Sequence, residues 1–430
     1  MKRWKKKNWV KLDNAAKIFP PATDEMDPKV FRFACELYEE VQPRLLQTAL
    51  ETTLSIFQNY QVVLKHGFFW YYLEDTDLTA QVHEENQPVC QKIYDKNETG
   101  LLFDVSYYKK RINLEIYHAL ADGTGALHFL RELVCRYLNL AHEDDLPDVP
   151  PDSGYDASAS EKMADSFDKY YMPQKIKRTN SPKAYRIKKP RLPENRLKVI
   201  EGILPTDQML ALTKQYGVTL TAFLTALLIC SIAHGMTVRE KRKIITISVP
   251  VNLRNYFASE SSRNFFSVIN VSYQVKQEEI EFEDVLAEIK KQMEQKLSPE
   301  KIKESMNNLI AIEKNAFIRV IPLFIKDFFM NIGYQIADNA VTAAVSNIGR
   351  VKIPEVYKPY IRLFDVITST KKIQICLCSY ENNLVLSFTD GFITADVQKY
   401  FFRQITAMGV PVEIVSTPME EGGKKHEKMS

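Results

Sequence analysis

Between Arg111 and Leu138 the chain has little freedom: it must run as a strand, turn within a few residues and continue as a helix. Residues Arg111 to Tyr117 (RINLEIY) alternate polar with apolar, so Ile112, Leu114 and Ile116 share one face. That is the pattern of a strand with one buried side. Further on, Leu127, Leu130, Val134, Tyr137 and Leu138 recur at helical spacing. Between the two lies His118-Ala-Leu-Ala-Asp122-Gly123-Thr124-Gly125. Its glycines permit a tight turn, and a helix start offers free N–H groups. His118 therefore stands at a strand end beside a helix N-terminus, a suitable place for a general base.

Plainer explanations compete with that one. A lone histidine more often packs or faces solvent than reacts, and His-x-x-x-Asp-Gly recurs by chance. A metal site on His118, Asp122 and His128 is disfavoured, because a helical zinc pair reads His-x-x-x-His. The strand ends near His118, so the four-residue spacing is not on one helix face. No metal is expected. The order strand, Asp-Gly, helix returns later, at Leu384 to Phe388, Asp390-Gly391 and a helix through Phe401 and Ile405. Four residues before Asp390 stands Leu386, not a histidine. The two halves read as copies of one architecture, with the base in the first only.

Residues His118 to Gly123 resemble the His-x-x-x-Asp-Gly motif of the coenzyme A-dependent acyltransferase superfamily. That superfamily includes chloramphenicol acetyltransferase-like enzymes, alcohol acetyltransferases, plant acyltransferases and the condensation domains of peptide synthetases. Val249-Pro-Val-Asn-Leu-Arg254 resembles its strand-end Pro-Val-x-x-Arg, and Ser346-Asn-Ile-Gly-Arg350 the Ser-Asn-x-Gly of the bacterial alcohol acetyltransferase branch. The three segments stand in the right order over nearly the whole chain. Two departures argue against a plant-type enzyme and, more weakly, against a condensation domain. Tyr117 precedes His118 where many relatives carry a second histidine, and the plant-type Asp-Phe-Gly-Trp-Gly is absent.

The resemblance implies an α/β (layered α+β) fold with two similar lobes, mixed sheets and a central tunnel served by one histidine. The expected division is a first lobe over 1–168, a basic crossover linker over 169–198 and a second lobe over 199–430. Asp122, acidic and four residues on, is a candidate to orient His118 within the catalytic set unless the turn points it away; the resemblance implies that it is structural and pairs with Arg254. It also implies that Ser346, Asn347 or nearby backbone N–H groups, such as that of Gly123, serve the oxyanion. Thr124 and Gly125 line the same turn and rank below them.

The chemistry so indicated is acyl transfer from a thioester to a hydroxyl or amine. A hydroxyl needs its proton removed in the transition state, and an imidazole titrating near neutrality suits the task. No Gly-x-Ser-x-Gly is present, so direct transfer in a ternary complex is simpler than an acyl-enzyme. The expected co-substrates are acyl-coenzyme A and a small alcohol or amine, with an acyl carrier protein as the alternative donor. A non-catalytic binding module of the same fold is the rival class. Candidates for the donor's phosphates are Arg239, Lys241, Arg242 and Lys243, or the crossover cluster from Lys175 to Lys198. Residues Lys169 to Lys198 hold eleven basic side chains and one acid, Glu194. Such a run is most simply a solvated linker.

Composition sets the outer limits. Hydrophobic residues at 45% and charged residues at 26% suit a soluble globular protein, and a net charge of +3 gives no case for nucleic acid. No apolar run reaches a membrane span of ~20 residues; Leu220 to Ala233 comes nearest and reads as a core helix. Lys2 to Lys7 is basic, but no apolar core follows it, so no signal peptide is read. Six cysteines without regular spacing sit in apolar elements, and the expectation is a reduced, cytoplasmic monomer. Lys2 to Lys11, with Trp4 and Trp9, suits contact with an anionic membrane surface. A solvated terminus is the simpler reading, with membrane contact at most peripheral. Gly67 to Leu73 (GFFWYYL) reads as a core strand, or as an aromatic wall for an acyl chain. Thr206 and Thr219 are predicted helix caps, and Ile244 to Val249 a strand ended by Pro250.

Overall fold

The computed structural model describes residues 8–146, 165–172, 182–275, 280–314 and 319–416. In the first half the chain forms β1 (Trp9–Lys11), α1 (Phe19–Ala22), β2 (Val30–Leu37), α2 (Pro43–Ile56), β3 (Val62–His66), β4 (Tyr71–Asp75), β5 (His83–Glu84), β6 (Phe103–Tyr108), β7 (Arg111–Tyr117), α3 (Gly123–Ala141) and α4 (Ser166–Tyr170). The second half begins with β8 (Lys198–Pro205), α5 (Thr206–Gln215), α6 (Leu220–His234), β9 (Ile244–Asn252) and β10 (Phe266–Gln274). It continues with α7 (Phe282–Lys296), α8 (Pro299–Lys314), α9 (Leu323–Asn339), β11 (Ala343–Arg350), β12 (Ile361–Thr368), β13 (Ile373–Tyr380), β14 (Asn383–Asp390), α10 (Asp396–Ala407) and β15 (Glu413–Ser416).

Local chemistry explains most of these boundaries. Pro43 opens α2 in the first turn, where its missing N–H costs nothing. The β6–β7 hairpin turns at Lys109 and the β13–β14 hairpin at Glu381, both with positive φ. Thr219 Oγ1 accepts from Ala222 N at 3.2 Å and caps α6. Every side chain of α6 from Ala222 to Ala233 is buried, so this apolar helix is a core helix. Thr206, by contrast, is the first residue of α5 rather than its cap. Strand β9 does not stop at Pro250; its β11 side is paired only at Ile247 and Ser248, which leaves room there for a residue without an N–H.

A five-stranded sheet has the order β12-β2-β7-β6-β5, and a seven-stranded sheet the order β10-β9-β11-β13-β14-β8-β15. A third sheet, β1-β4-β3, is small. Strand β12 comes from the second half, yet it pairs antiparallel with β2, Phe364 against Cys35, and so completes the first sheet. The first core joins Phe33, Leu114 and Phe129 to Phe364 and Tyr380, whereas Phe223, Ile247, Val345 and Phe401 belong to the second. All six cysteines are free and buried.

The crossover is not one solvated linker. Residues 173–181 of it lie outside the described residues, but Lys198 is buried in β8, with Nζ 3.4 Å from Asp390. Asp390 also accepts from Phe392 N at 2.7 Å, so the second Asp-Gly holds a buried ion pair of its own. Gly67 to Leu73 is not a core strand either. Gly67 N donates to Trp70 O at 2.9 Å and closes a turn between β3 and β4. Phe68 and Trp70 are exposed on it, and only Tyr71 and Leu73 are buried.

Between the two large sheets, Arg111 on β7 meets Glu201 on β8 at 3.1 Å and Asp365 on β12 at 3.3 Å. Burial pushes both carboxyls up, Glu201 to about 7, with Asp365 adding its repulsion and Arg111 opposing it. A raised carboxyl means the folded state holds a proton that the unfolded chain has released above its ordinary value of 4.5. The Glu201 contribution to stability is therefore complete below about pH 4.5 and is lost as pH rises through about 7. Glu201→Gln should flatten that decline, measured as melting temperature from pH 5 to about 8. Parallel declines in both proteins would show that Glu201 does not carry it.

Candidate active site

His118 follows the last residue of β7, and its N–H donates to Lys29 O at 2.8 Å, which anchors the strand end to the start of β2. Its ring stacks on Phe19 of α1, centroids 4.3 Å apart and planes at 17°, with Phe31 edge-on at 4.9 Å. Phe266 lies 5.6 Å away. The ring makes a polar contact through Nδ1, 3.1 Å from Asn264 Oδ1.

The orientation of Asn264 fixes the histidine tautomer. Asn264 Nδ2 lies 3.1 Å from His118 O and 3.4 Å from Asp13 Oδ2, both acceptors, so the amide nitrogen belongs there. The amide oxygen then faces Nδ1, which must carry its proton and donate. Nε2 is left with the lone pair, as a base requires. Asp13 is held in turn by Ala16 N at 2.7 Å. The aromatic surroundings desolvate the ring and lower its pKa from the ordinary 6.5, more than Asp122 and Asn264 raise it. The imidazole is thus neutral at pH ~7.

Asp122 caps α3. Its Oδ1 accepts from Thr124 N and Gly125 N at 3.1 and 3.0 Å. Its Oδ2 accepts from Arg254 Nη1 at 2.6 Å and from Phe265 N at 2.8 Å. The carboxylate is thereby engaged on both oxygens and does not orient the histidine; Asn264 does. Arg254 Nη2 donates to Ser261 O and Arg263 O, each at 2.7 Å. Asp122 and Arg254 therefore grip the chain on either side of Asn264, at 261, 263 and 265. Thr124 Oγ1 accepts from Asn252 Nδ2 at 3.1 Å, which ties the end of β9 to the same turn.

Gly125 is needed for this grip. A Cβ there would lie 2.0 Å from Ser262 O, so the loop bearing Asn264 rests directly on the first turn of α3. Gly125→Ala must push that loop away. The expected result is a stability loss of about 1–3 kcal/mol from overpacking and a larger proportional loss of activity, measured by denaturant unfolding and turnover together. An active variant with the wild-type rate would mean the loop position does not matter.

The second half reaches the site through β11. Ala343 and Val345 face the second core, so Ala344 and Ser346 face the first lobe; Ile348, at the register shift after Asn347, packs on the first core. Ile348 Cδ1 lies 3.0 Å from where a Cβ on Gly123 would be. Ser346, on the same face as Ala344, is partly exposed, and its hydroxyl has no hydrogen-bond partner among the described residues. Asn347 points the other way: its Nδ2 donates to Thr221 Oγ1 at 2.9 Å and its Oδ1 accepts from Gly349 N at 2.8 Å. Its side chain shapes the turn; Ser346 and Gly123 N–H remain as oxyanion candidates.

Arg239, Lys241, Arg242 and Lys243 precede β9, at the end opposite Asn252. At ~3.3 Å per residue a strand of this length separates them from the histidine turn by ~26 Å. A cavity of about 620 Å³ in the first lobe, lined by Arg32, His83, Glu85 and Asp104, is separate from His118. Among the described residues no group of three or more His, Cys, Asp or Glu side chains could hold a metal ion. Sequence reasoning missed Asn264, Asp13 and Phe19. They belong to no motif, and a Ser-Ser-Arg-Asn loop gives no sign of the ring it will meet.

No family model and no curated protein matches the sequence. Solved structures do resemble the chain over almost its whole length. The trichothecene 15-O-acetyltransferase TRI3 of Fusarium sporotrichioides superposes with a TM-score of 0.60 at 11% identity, over 94% of each chain. TRI101 of F. graminearum, solved with coenzyme A and deoxynivalenol, gives 0.62 at 7% identity, over 93% of this chain and 97% of its own. The first condensation domain of the CDA synthetase gives 0.58 at 13% identity, over 94% and 99%.

Proposed function

We propose, from the two-lobed fold it shares with coenzyme A-dependent acyltransferases and condensation domains, that this protein moves an acyl group from a coenzyme A thioester to a hydroxyl or amine. The observation that carries the reading is the locked tautomer of His118: Nδ1–H held by Asn264, Nε2 unprotonated. An acceptor hydroxyl bound beside Nε2 gives up its proton as its oxygen attacks the thioester carbonyl. The carbonyl oxygen becomes an oxyanion, for which Ser346 Oγ–H or Gly123 N–H supplies the donor. Collapse re-forms the carbonyl and breaks the C–S bond, and the departing thiolate takes the proton from Nε2–H. The histidine is restored, and no metal or redox partner is needed for the balance.

Asp122 and Arg254 act through Asn264 as positioning residues. The cations before β9 stand far from the histidine and would meet only the phosphate-bearing end of a long donor. Reversing charge at Lys241 and Lys243 should raise the Michaelis constant for acyl-coenzyme A several-fold and leave turnover unchanged, because remote contacts bind ground and transition states alike. A donor constant indifferent to the reversal and to salt would remove these lysines from the donor site.

The likeness to a condensation domain supports a second donor, an acyl group on a carrier protein. A panel of acyl-coenzyme A and acyl-carrier proteins, read by thiol release with pooled alcohols and amines, separates the two. Acceptor-dependent thiol release that His118→Ala abolishes is the expected result. No release from any donor would favour a non-catalytic binding module.

A further inference from the structure

Helix α9 is seventeen residues long and buries none of them. Phe324, Phe328, Phe329, Ile332 and Ile336 form a stripe along it, and four of these five are 62–70% exposed. The turn between β3 and β4 extends the same surface: Leu323 N donates to Phe68 O at 2.8 Å, and Lys326 Nζ to Phe69 O at 2.9 Å. Phe68 and Trp70 on that turn are exposed as well. A contiguous apolar face of this kind marks an interaction surface.

Charge identifies what it meets. Lys11 Nζ lies 4.6 Å from the Trp70 ring, and β1 pairs with β4 beside the aromatic turn. The sequence leading into β1 is Lys2, Arg3, Trp4, Lys5, Lys6 and Lys7, with no acid before Asp13. The acids of α9 are turned inward, Asp327 accepting from Tyr71 and Asp338 pairing with Lys372 at 2.8 Å. Exposed Phe and Trp rimmed by lysines suit the interface of an anionic bilayer, where rings enter the headgroup region and cations meet the lipid charge. Among the described residues no single helix is long and apolar enough to cross a membrane.

We propose that α9 and the Phe68–Trp70 turn, with Lys11 beside it, dock this protein on an anionic lipid surface. The face also adjoins the histidine. Helix α9 packs on α1, whose Phe19 stacks on His118, and Tyr334 of α9 hydrogen-bonds Lys29, whose carbonyl anchors His118. Docking would therefore set the lipid beside the site, and a substrate with an apolar chain could pass between them. The binding claim does not depend on the acyltransferase reading.

The test is co-sedimentation of the full chain with phosphatidylcholine vesicles and with vesicles that also contain phosphatidylserine. Binding should be confined to the anionic vesicles and weaken with salt. Phe328→Ser with Phe329→Ser should lower partitioning at least about tenfold, with the circular dichroism spectrum unchanged. Ile336→Ser repeats the test at a separate position should the double variant misfold. Lys11→Gln should reduce both binding and its salt dependence. Wild-type protein that ignores anionic vesicles, or binds them equally well without the phenylalanines, overturns the proposal. So does self-association through this face, seen by sedimentation velocity, in place of vesicle binding.

Discussion

His118→Ala is expected to lower acyl transfer by a factor on the order of 10²–10⁴ while the protein stays folded. With Nδ1 committed to Asn264, Nε2 is the ring nitrogen left to take a proton at the end of β7. It is partly exposed, so its removal opens no sealed cavity in either core. The pH profile of wild-type kcat/KM gives an independent check. Desolvation lowers the His118 pKa from 6.5, so the acid limb should inflect below that value and activity should be lost only as pH falls further. Wild-type turnover in a folded His118→Ala protein, or an inflection well above 6.5, would exclude His118 as the base.

Asp122→Asn should reduce stability and activity together. The carboxylate faces four donors, the N–H groups of Thr124, Gly125 and Phe265 and the Arg254 guanidinium. An amide turns a donor toward one of them and leaves the Arg254 charge without its counterion. Removing one side of a buried pair costs roughly 3–5 kcal/mol, which denaturant unfolding would detect. Activity should fall as well, because residues 261, 263 and 265 lose the grip that presents Asn264 to His118. A variant that loses activity at full stability would move Asp122 from positioning into the chemistry.

Much of this was written in the order of the residues. Alternation from Arg111 to Tyr117, helical spacing from Leu127 to Leu138 and the glycines between them determine strand, turn and helix, because each rests on interactions among near neighbours. The pairing of Asp122 with Arg254, although 132 residues apart, was legible through the family resemblance. Periodicity alone gives no account of it. Other features depended on the assembled chain. The aromatic run from Gly67 looks like a core strand until the turn at Gly67–Trp70 leaves Phe68 in solvent, because hydrophobicity does not say which side of a turn is covered. Strand β12 joins the first sheet across the expected lobe boundary, because strand pairing is set by which edge is open in three dimensions. The histidine tautomer was least accessible of all. It depends on an amide whose own orientation is set by Asp13 and by the His118 carbonyl, and those contacts span 251 and 146 residues. Sequence spacing can place a base at a strand end, but only packing decides which of its nitrogens keeps the proton.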